Sequence, residues 1–493
     1  MGHRAAAGAD SPDRDNPILA AGPDPPYYRK AAAMNGGMQM GRDLGLLLPE
    51  ITVLVTAVLA LVAEMLRQAR IALILTVAGL LVATGLTVPV VGQKTTVFMG
   101  TYRVDMLSEW AKLIILPTVA LVVLLAVPEV KGTDREGTVY SLLAFTTLGP
   151  LMLSGAGDIM FLVLGVLLSS LGSFALVAYP RNDRATEAAM KYFVYGSVTE
   201  AVMIFGLTFW YGASGSTLLN DLSRLTGNST LPALAGLAGV LTGLGYKAAL
   251  APFQFWAPDA YDGGPLAIAA YLSIVPKIGS IFGLAQVARN LPASISGWPL
   301  ILALLAALSM TYGNLAALTQ ANIVRLLAYS SIAQSGYFLL GVVALGKSEM
   351  ALQSLVVFGA AYAAMNLGAF AVTARVGRDL AGFTGLGRSA PWLAAGMVLF
   401  LLSLVGVPPL GGFAGKLLLF GAALDSGYSW LAVVAILNSV LSLAVYLRVI
   451  VPIYRPGEPL AFKSRETFPV WGTALFFTVF VGLAVQLVLA NIV

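Results

Sequence analysis

From Leu44 onward the chain is a succession of apolar runs of ~20 residues joined by short charged connections, and a run of that length crosses a hydrocarbon core about 30 Å thick. At that depth each backbone N–H and C=O must find its partner inside the protein, which for runs of this length means helix. About fourteen runs follow one another, near 44–66, 71–91, 110–128, 137–155, 158–180, 189–211, 231–256, 265–288, 298–319, 324–346, 350–374, 392–424, 430–453 and 468–490. Apolar residues make up 58% of the sequence and charged ones 11%, too few for a water-soluble surface, which takes about a quarter. The fold class expected is an all-α integral membrane protein with about fourteen transmembrane helices.

Two runs are interrupted. The seventh carries Lys247 and then Pro252 and Pro258; the twelfth carries Gly406, Pro408, Pro409, Gly411 and Gly412 before Lys416. Such breaks persist at membrane depth only where protein or water satisfies the freed backbone groups. The two lie five spans apart, so they cross in opposite directions, and paired broken helices of that kind point to a transport site between inverted repeats. This predicts two inverted five-helix repeats, spans 4–8 (137–288) and 9–13 (298–453). Helices 1–3 (44–136) precede them and one helix (468–490) closes the chain. Residues 1–43 are rich in Ala, Gly, Pro and Asp without an apolar h-region, so they read as a disordered N-terminal extension rather than a signal peptide. Met34, Met38 and Met40 offer later starts.

Connections after odd-numbered spans hold Arg67, Arg70, Lys131, Arg135, Arg181, Arg184, Arg375, Arg378, Arg388, Arg455, Lys463 and Arg465; those after even-numbered spans hold Lys94, Arg103, Arg224, Arg289 and Lys347. The positive-inside rule places the odd connections in the cytoplasm and both termini outside.

Composition excludes several chemistries. There is no cysteine, hence no thiolate iron–sulfur ligation, disulfide or Cys zinc site. The one histidine, His3, sits in the polar extension, which argues against haem or metal ligation by histidine. The net charge of +5 comes from connecting loops, with no basic run interleaved with aromatics of the kind that binds nucleic acid.

Lysines inside spans are the exception to this apolar pattern. Lys247, Lys277 and Lys416 fall deep within theirs, where a charge costs a few kcal/mol and is retained for a reason. Desolvation disfavours an ammonium and a nearby carboxylate favours it, so a lysine between those influences can take up and release a proton. Glu200 falls in mid-span within GSVTEAVMIFG and calls for a partner; Lys247, on the adjacent span, is the expected one. Glu50 reads as a structural partner, and Asp158, Lys191 and Arg325 lie at span starts, where snorkelling is the simpler reading. Arg448 reads as an interfacial anchor. Polar residues near the lysines, among them Tyr246, Gln254, Ser273, Asn314, Ser330, Ser331, Gln334 and Asn438, either hold water between charges or simply hydrogen-bond helices together.

MKYFVYGS (190–197), GYKAALAPFQFWAPDAYDGGP (245–265), YLSIVPKIG (271–279), GNLAALTQANIVRLLAYSSIAQSGY (313–337), GVPPLGGFAGKLLLF (406–420) and LNSVLSLAVYLRV (437–449) stand in this order. With them the chain resembles the antiporter-like membrane subunits of respiratory complex I over almost everything after residue 44. The resemblance implies a fourteen-helix subunit of a proton-pumping membrane arm in the bacterial plasma membrane. Lys247, Lys277 and Lys416 would be its relay lysines, and Lys191 the family lysine before the sixth helix. Its partners would be the other membrane-arm subunits and the lipid bilayer. NADH, FMN, iron–sulfur clusters and quinone would belong to partner subunits, with no cofactor in this chain. Three positions depart from the family pattern. Leu167 stands where the fifth helix usually has glutamate, Gln254 where histidine often follows the proline of the seventh, and Arg325 where lysine is common. Glu200 is the expected substitute for the carboxylate missing at Leu167.

The function expected is therefore a proton-translocating membrane subunit of NADH–quinone oxidoreductase. The alternatives are a subunit of a multi-subunit sodium/proton antiporter or of a membrane-bound hydrogenase, which resemble it closely. A purely structural membrane scaffold leaves the three buried lysines without a reason.

Overall fold

A computed structural model of the chain describes residues 40–225, 230–292, 297–457 and 467–485. The chain divides into residues 1–45, whose described part (40–45) is helical, and a second unit from Leu46 to the end. Most of the expected N-terminal extension and the end of the last expected span (486–490) lie outside the described residues.

The second unit is built almost wholly of helices. They are α1 Leu48–Met65, α2 Ala69–Thr87, α3 Met106–Val130, α4 Glu136–Ser154, α5 Ile159–Ala178, α6 Asp183–Ser214, α7 Thr230–Lys247, α8 Trp256–Gly263 and α9 Leu266–Ala288. After them come α10 Trp298–Ala317, α11 Ile323–Val343, α12 Met350–Val376, α13 Leu386–Ser389, α14 Pro391–Val405, α15 Gly411–Asp425, α16 Ser429–Tyr454 and α17 Phe468–Leu483. A two-stranded antiparallel hairpin, β1 Thr95–Val97 and β2 Tyr102–Val104, joins α2 to α3. Among the described residues eleven helices are long and apolar enough to cross a membrane, and α14 and α17 are shorter apolar helices.

Short polar side chains start several of these helices by accepting from first-turn N–H groups, which have no intrahelical partner. Asp105 takes Leu107 and Ser108, Asn182 takes Ala185, and Asn322 takes Val324 and Arg325. Asp158, expected to snorkel, instead caps α5 through Met160 N. Arg448 donates to the Ala317 and Leu318 carbonyls at the end of α10, which suits a cation at a helix C-terminus.

Burial is uneven. The apolar window of α9 is wholly buried, and those of α11 and α12 are 94% buried, against 28% for α2 and 33% for α6. Polar groups on α9, α11 and α12 therefore face protein. Lipid tails are as apolar as the helices, so close packing holds them together. A Cβ on Gly206 of α6 would lie 2.7 Å from the Gly239 Cα of α7, and one on Gly279 of α9 would lie 2.5 Å from the Pro150 Cα of α4.

Candidate functional site

Both expected interruptions are present, and they end in the same way. α7 stops at Lys247. Ala249 N–H then returns to the Tyr246 carbonyl (2.9 Å) and Leu250 N–H to the Gly245 carbonyl (2.8 Å). α14 stops at Val405, where Gly406 N–H returns to Ser403 O (3.0 Å) and Val407 N–H to Leu402 O (3.1 Å). This crossed pair is the Schellman ending, which needs a left-handed residue just past the helix. Ala249 (φ 53°) and Gly406 (φ 97°) take that conformation.

Such an ending leaves the last carbonyls without backbone donors, and in both breaks a lysine ammonium takes them. Lys277 of α9 donates to Ala248 O at 2.9 Å, to the Ser335 hydroxyl at 3.1 Å and to Ser331 O at 3.3 Å. Lys416, six residues into α15, reaches back to Leu404 O at 2.9 Å and Val405 O at 3.0 Å, and to the Ser439 hydroxyl at 3.2 Å. Its ammonium also lies 4.0 Å from the centre of the Tyr337 ring. Lys277 is fully buried and Lys416 is 2% exposed.

α11 stands between these two ammonium groups. One side gives Ser331 and Ser335 to Lys277. The other gives Gln334, which donates to Leu404 O at 3.2 Å, and Tyr337, which shares a hydrogen bond with Ser439 at 3.1 Å. Ser330 and Tyr446 hydroxyls meet at 2.6 Å beside Gln334. Other polar residues expected along the line bond helices directly. Asn314 donates to Asn438, and Ser273 receives Asn366.

Lys247 differs. It is fully buried, and its ammonium has no hydrogen-bond partner among the described residues. It lies 5.4 Å from the Phe174 ring centre, 5.3 Å from Tyr192 and 5.6 Å from Tyr246. A desolvated cation over an aromatic face gains on the order of 2 kcal/mol. Gly196 leaves room for this cage, since a Cβ there would lie 2.7 Å from the Phe174 ring.

Glu200 is buried on α6, but the direct pair with Lys247 is not formed. Its carboxylate accepts from the Ser170 hydroxyl of α5, while its charge acts on Lys247 through space. Leu167 and Glu200 line the same small crevice, with Val166 and Met203. Glu200 thus stands beside the position where the family pattern has its carboxylate.

Lys191 stands apart from this buried line, with its side chain 44% exposed. It pairs with Glu187 at 2.8 Å and Asp259 at 3.1 Å, and Arg325 meets the same Asp259 at 2.8 Å. Burial works against the Asp259 charge, but hydrogen bonds from Arg325 and Lys191 prevail and hold its carboxyl below the usual range. Asp262, on the same short α8, receives Arg184 and lies 3.6 Å from Arg378. The segment after the first break is therefore pinned by cations from α6, α11 and the end of α12.

Residues 156–442 match the family model for NADH:quinone oxidoreductase/Mrp antiporter, TM. The chain belongs to this family. NADH-quinone oxidoreductase subunit N of Mycobacterium sp. (strain JLS) is 40% identical to it over 375 residues, 75% of this chain and 80% of that protein. F(420)H(2) dehydrogenase subunit N of Methanosarcina mazei is 35% identical over 412 residues, 79% of this chain and 82% of that protein. Among solved structures, a chain of respiratory complex I from Thermus thermophilus with bound aureothin superposes with a TM-score of 0.79 at 31% identity, covering 90% of this chain and 99% of that one.

This member of the NADH:quinone oxidoreductase/Mrp antiporter family also holds a buried lysine that hydropathy does not single out. Lys112 of α3 is fully buried and lies 2.8 Å from Glu50 of α1, which also accepts the Tyr102 hydroxyl at 2.6 Å. Glu50 is the structural partner expected, but its cation escapes a reading by span depth because Lys112 falls near a span start. The signal is present in Glu109 and Lys112, a carboxylate and a lysine three residues apart at the head of an otherwise apolar run.

Proposed function

We propose that this chain is a proton-translocating membrane subunit of NADH–quinone oxidoreductase in the bacterial plasma membrane. Lys247, Lys277 and Lys416 form its relay, and Glu200 and Lys191 tune it. The observation that carries this reading is the shared use of Ala248. Its carbonyl follows Lys247 directly in the chain and is the acceptor for Lys277. A change in the charge of Lys247 pulls on the end of α7 and alters the acceptor on which Lys277 rests. α11 carries the disturbance onward, since Ser331 and Ser335 hold Lys277 while Gln334 and Tyr337 border Lys416. A proton leaves one lysine as the ammonium and arrives at the other as the neutral amine. The hydroxyls of Ser335 beside Lys277 and Ser439 beside Lys416 give it polar surroundings at each end.

On this reading 137–288 and 298–453 are two inverted antiporter-like halves of a fourteen-span subunit, with helices 1–3 (44–136) before them and 468–490 closing it. The odd-numbered connections, with the Lys191–Asp259–Arg325 cluster, face the cytoplasm and both termini face outward. NADH, FMN, iron–sulfur clusters and quinone are held by partner subunits of the membrane and peripheral arms. The relative named for F(420)H(2) favours a second reading, in which the same subunit serves a complex with another electron donor.

Lys247→Ala tests the relay in membrane vesicles, with the electron donor, electron transfer and proton gradient followed together. The expected result is an assembled complex whose gradient collapses. A normal gradient from the assembled variant removes Lys247 from the path. Comparing NADH with other donors on the same vesicles separates the two readings.

A further inference from the structure

Helices α1–α3 contain a second group of buried charges that the lysine line does not use. The Lys112 ammonium, fully buried in the second turn of α3, lies 2.8 Å from Oε1 of Glu50, which also accepts the Tyr102 hydroxyl of β2 at 2.6 Å. Glu50 Oε2 has no hydrogen-bond partner among the described residues. Three residues before Lys112, and so on the same helix face, Glu109 is 1% exposed. Its Oε2 accepts Gly92 N–H at 2.9 Å, and its buried Oε1 has no partner among the described residues. Glu109 also lines an open cleft of about 990 Å³ beside the β1–β2 hairpin.

Asp105, Arg289 and Arg103 around this cleft are engaged with one another or with amides. Asp105 at the start of α3 pairs with Arg289 and receives Gln286. Arg103 of β2 donates to Asn220 and Asn290. Lys94 before β1 and Glu349 at the start of α12 complete the charged lining. Lys112 is the cation whose charge acts on Glu109. Glu50 thus holds the buried ammonium directly, while Glu109, one turn from Lys112 on the same helix face, is acted on by its charge. Each carboxylate has an oxygen without a hydrogen-bond partner among the described residues. A buried charge without a full partner is expensive, and such groups neutralise by taking a proton. Glu109 is the one placed to exchange that proton, because it alone of the three borders the cleft.

We propose that Glu109, Lys112 and Glu50 form a proton-binding site that exchanges with the cleft beside the hairpin, separate from the Lys247–Lys277–Lys416 line. A proton passes between solvent in the cleft and the Glu109 carboxyl, and Lys112, already protonated, takes it onward only by giving one of its own protons to Glu50. Only O–H and N–H bonds form and break, and the cluster alternates between one net negative charge and none. The fixed ion pair that merely clamps α1 to α3 is the competing account.

The test is infrared difference spectroscopy of the purified whole complex, titrated through neutral pH in H2O and D2O, comparing wild type with E109Q and E50Q. This readout needs no pumping, so it stands whether or not the Lys247 relay fails its own test. The expected result is loss of one titrating protonated-carboxyl band in E109Q, and a displaced titration of that band in E50Q. An E109Q spectrum whose titrating carboxyl bands match wild type overturns the proposal in favour of the clamp. Should E50Q fail to assemble, K112R takes its place. It keeps a charge against Glu50 but cannot readily release its proton, and must displace the Glu109 band. An unmoved band in K112R likewise overturns the shared site.

Discussion

Lys277 donates to the carbonyl of Ala248 across 2.9 Å, so the lysine of α9 is bound to the residue that directly follows Lys247. Ser335 has one hydroxyl proton to give, to the same carbonyl at 2.6 Å or to Ser331 O at 3.0 Å, while accepting from Lys277 at 3.1 Å. The triangle makes the hydroxyl a support for the ammonium. Ser335→Ala removes one bond to a charged group, worth about 1.5–3 kcal/mol. Proton pumping per electron is expected to fall several-fold with the complex still assembled. Lys277→Ala, which also strips the end of α7 of its cation, is expected to abolish it. Vesicle gradients measured against electron transfer check both.

Lys416→Arg separates charge from titration. Arginine can still reach the Leu404 and Val405 carbonyls and stack on Tyr337, but it does not deprotonate readily. Assembly and heat stability are expected to stay near wild type while the gradient is lost. Normal pumping would make Lys416 a fixed cap of α14 and nothing more.

Glu200→Gln keeps an acceptor for Ser170 and removes the charge that reaches Lys247. Pumping is expected to drop, and Leu167→Glu in the same chain is expected to restore part of it, because Leu167 borders the same crevice. Indifference to both changes would assign Glu200 to packing alone.

Asp259 gives a prediction with a pH sign. Its carboxyl is held below the ordinary range, so its tie to Lys191 and Arg325 is fully present above about pH 4, the unperturbed aspartate value. The tie is lost only as pH falls through the lower folded value. Asp259→Asn is expected to loosen α8 at neutral pH, seen as faster amide exchange over 256–263. Wild type and variant should converge in strong acid.

Much of this architecture is legible in the sequence because membrane depth tolerates few exceptions. The helical class and the two breaks follow from strong rules and are present, and Lys247, Lys277 and Lys416 are buried. Among the described residues, however, eleven helices are long and apolar enough to cross a membrane, against about fourteen expected. What hydropathy does not encode is direction. Lys416 lies after its break and folds back onto α14, and nothing in GFAGK says which way its side chain turns. Glu200 and Lys247 lie on the packed helices α6 and α7, but sequence does not foretell that Ser170 takes the carboxylate and three rings surround the ammonium. Lys112 escapes for a different reason. A lysine near a span end usually reaches water, and only the fold shows Glu50 and Tyr102 closing over it.

Ala249 occupies a left-handed position that Gly406 fills in the other break. An L-residue there gives up roughly 1–2 kcal/mol that glycine does not. The helix end beside Lys247 therefore carries a backbone strain that the helix end beside Lys416 lacks, and a single methyl group sets the two breaks apart.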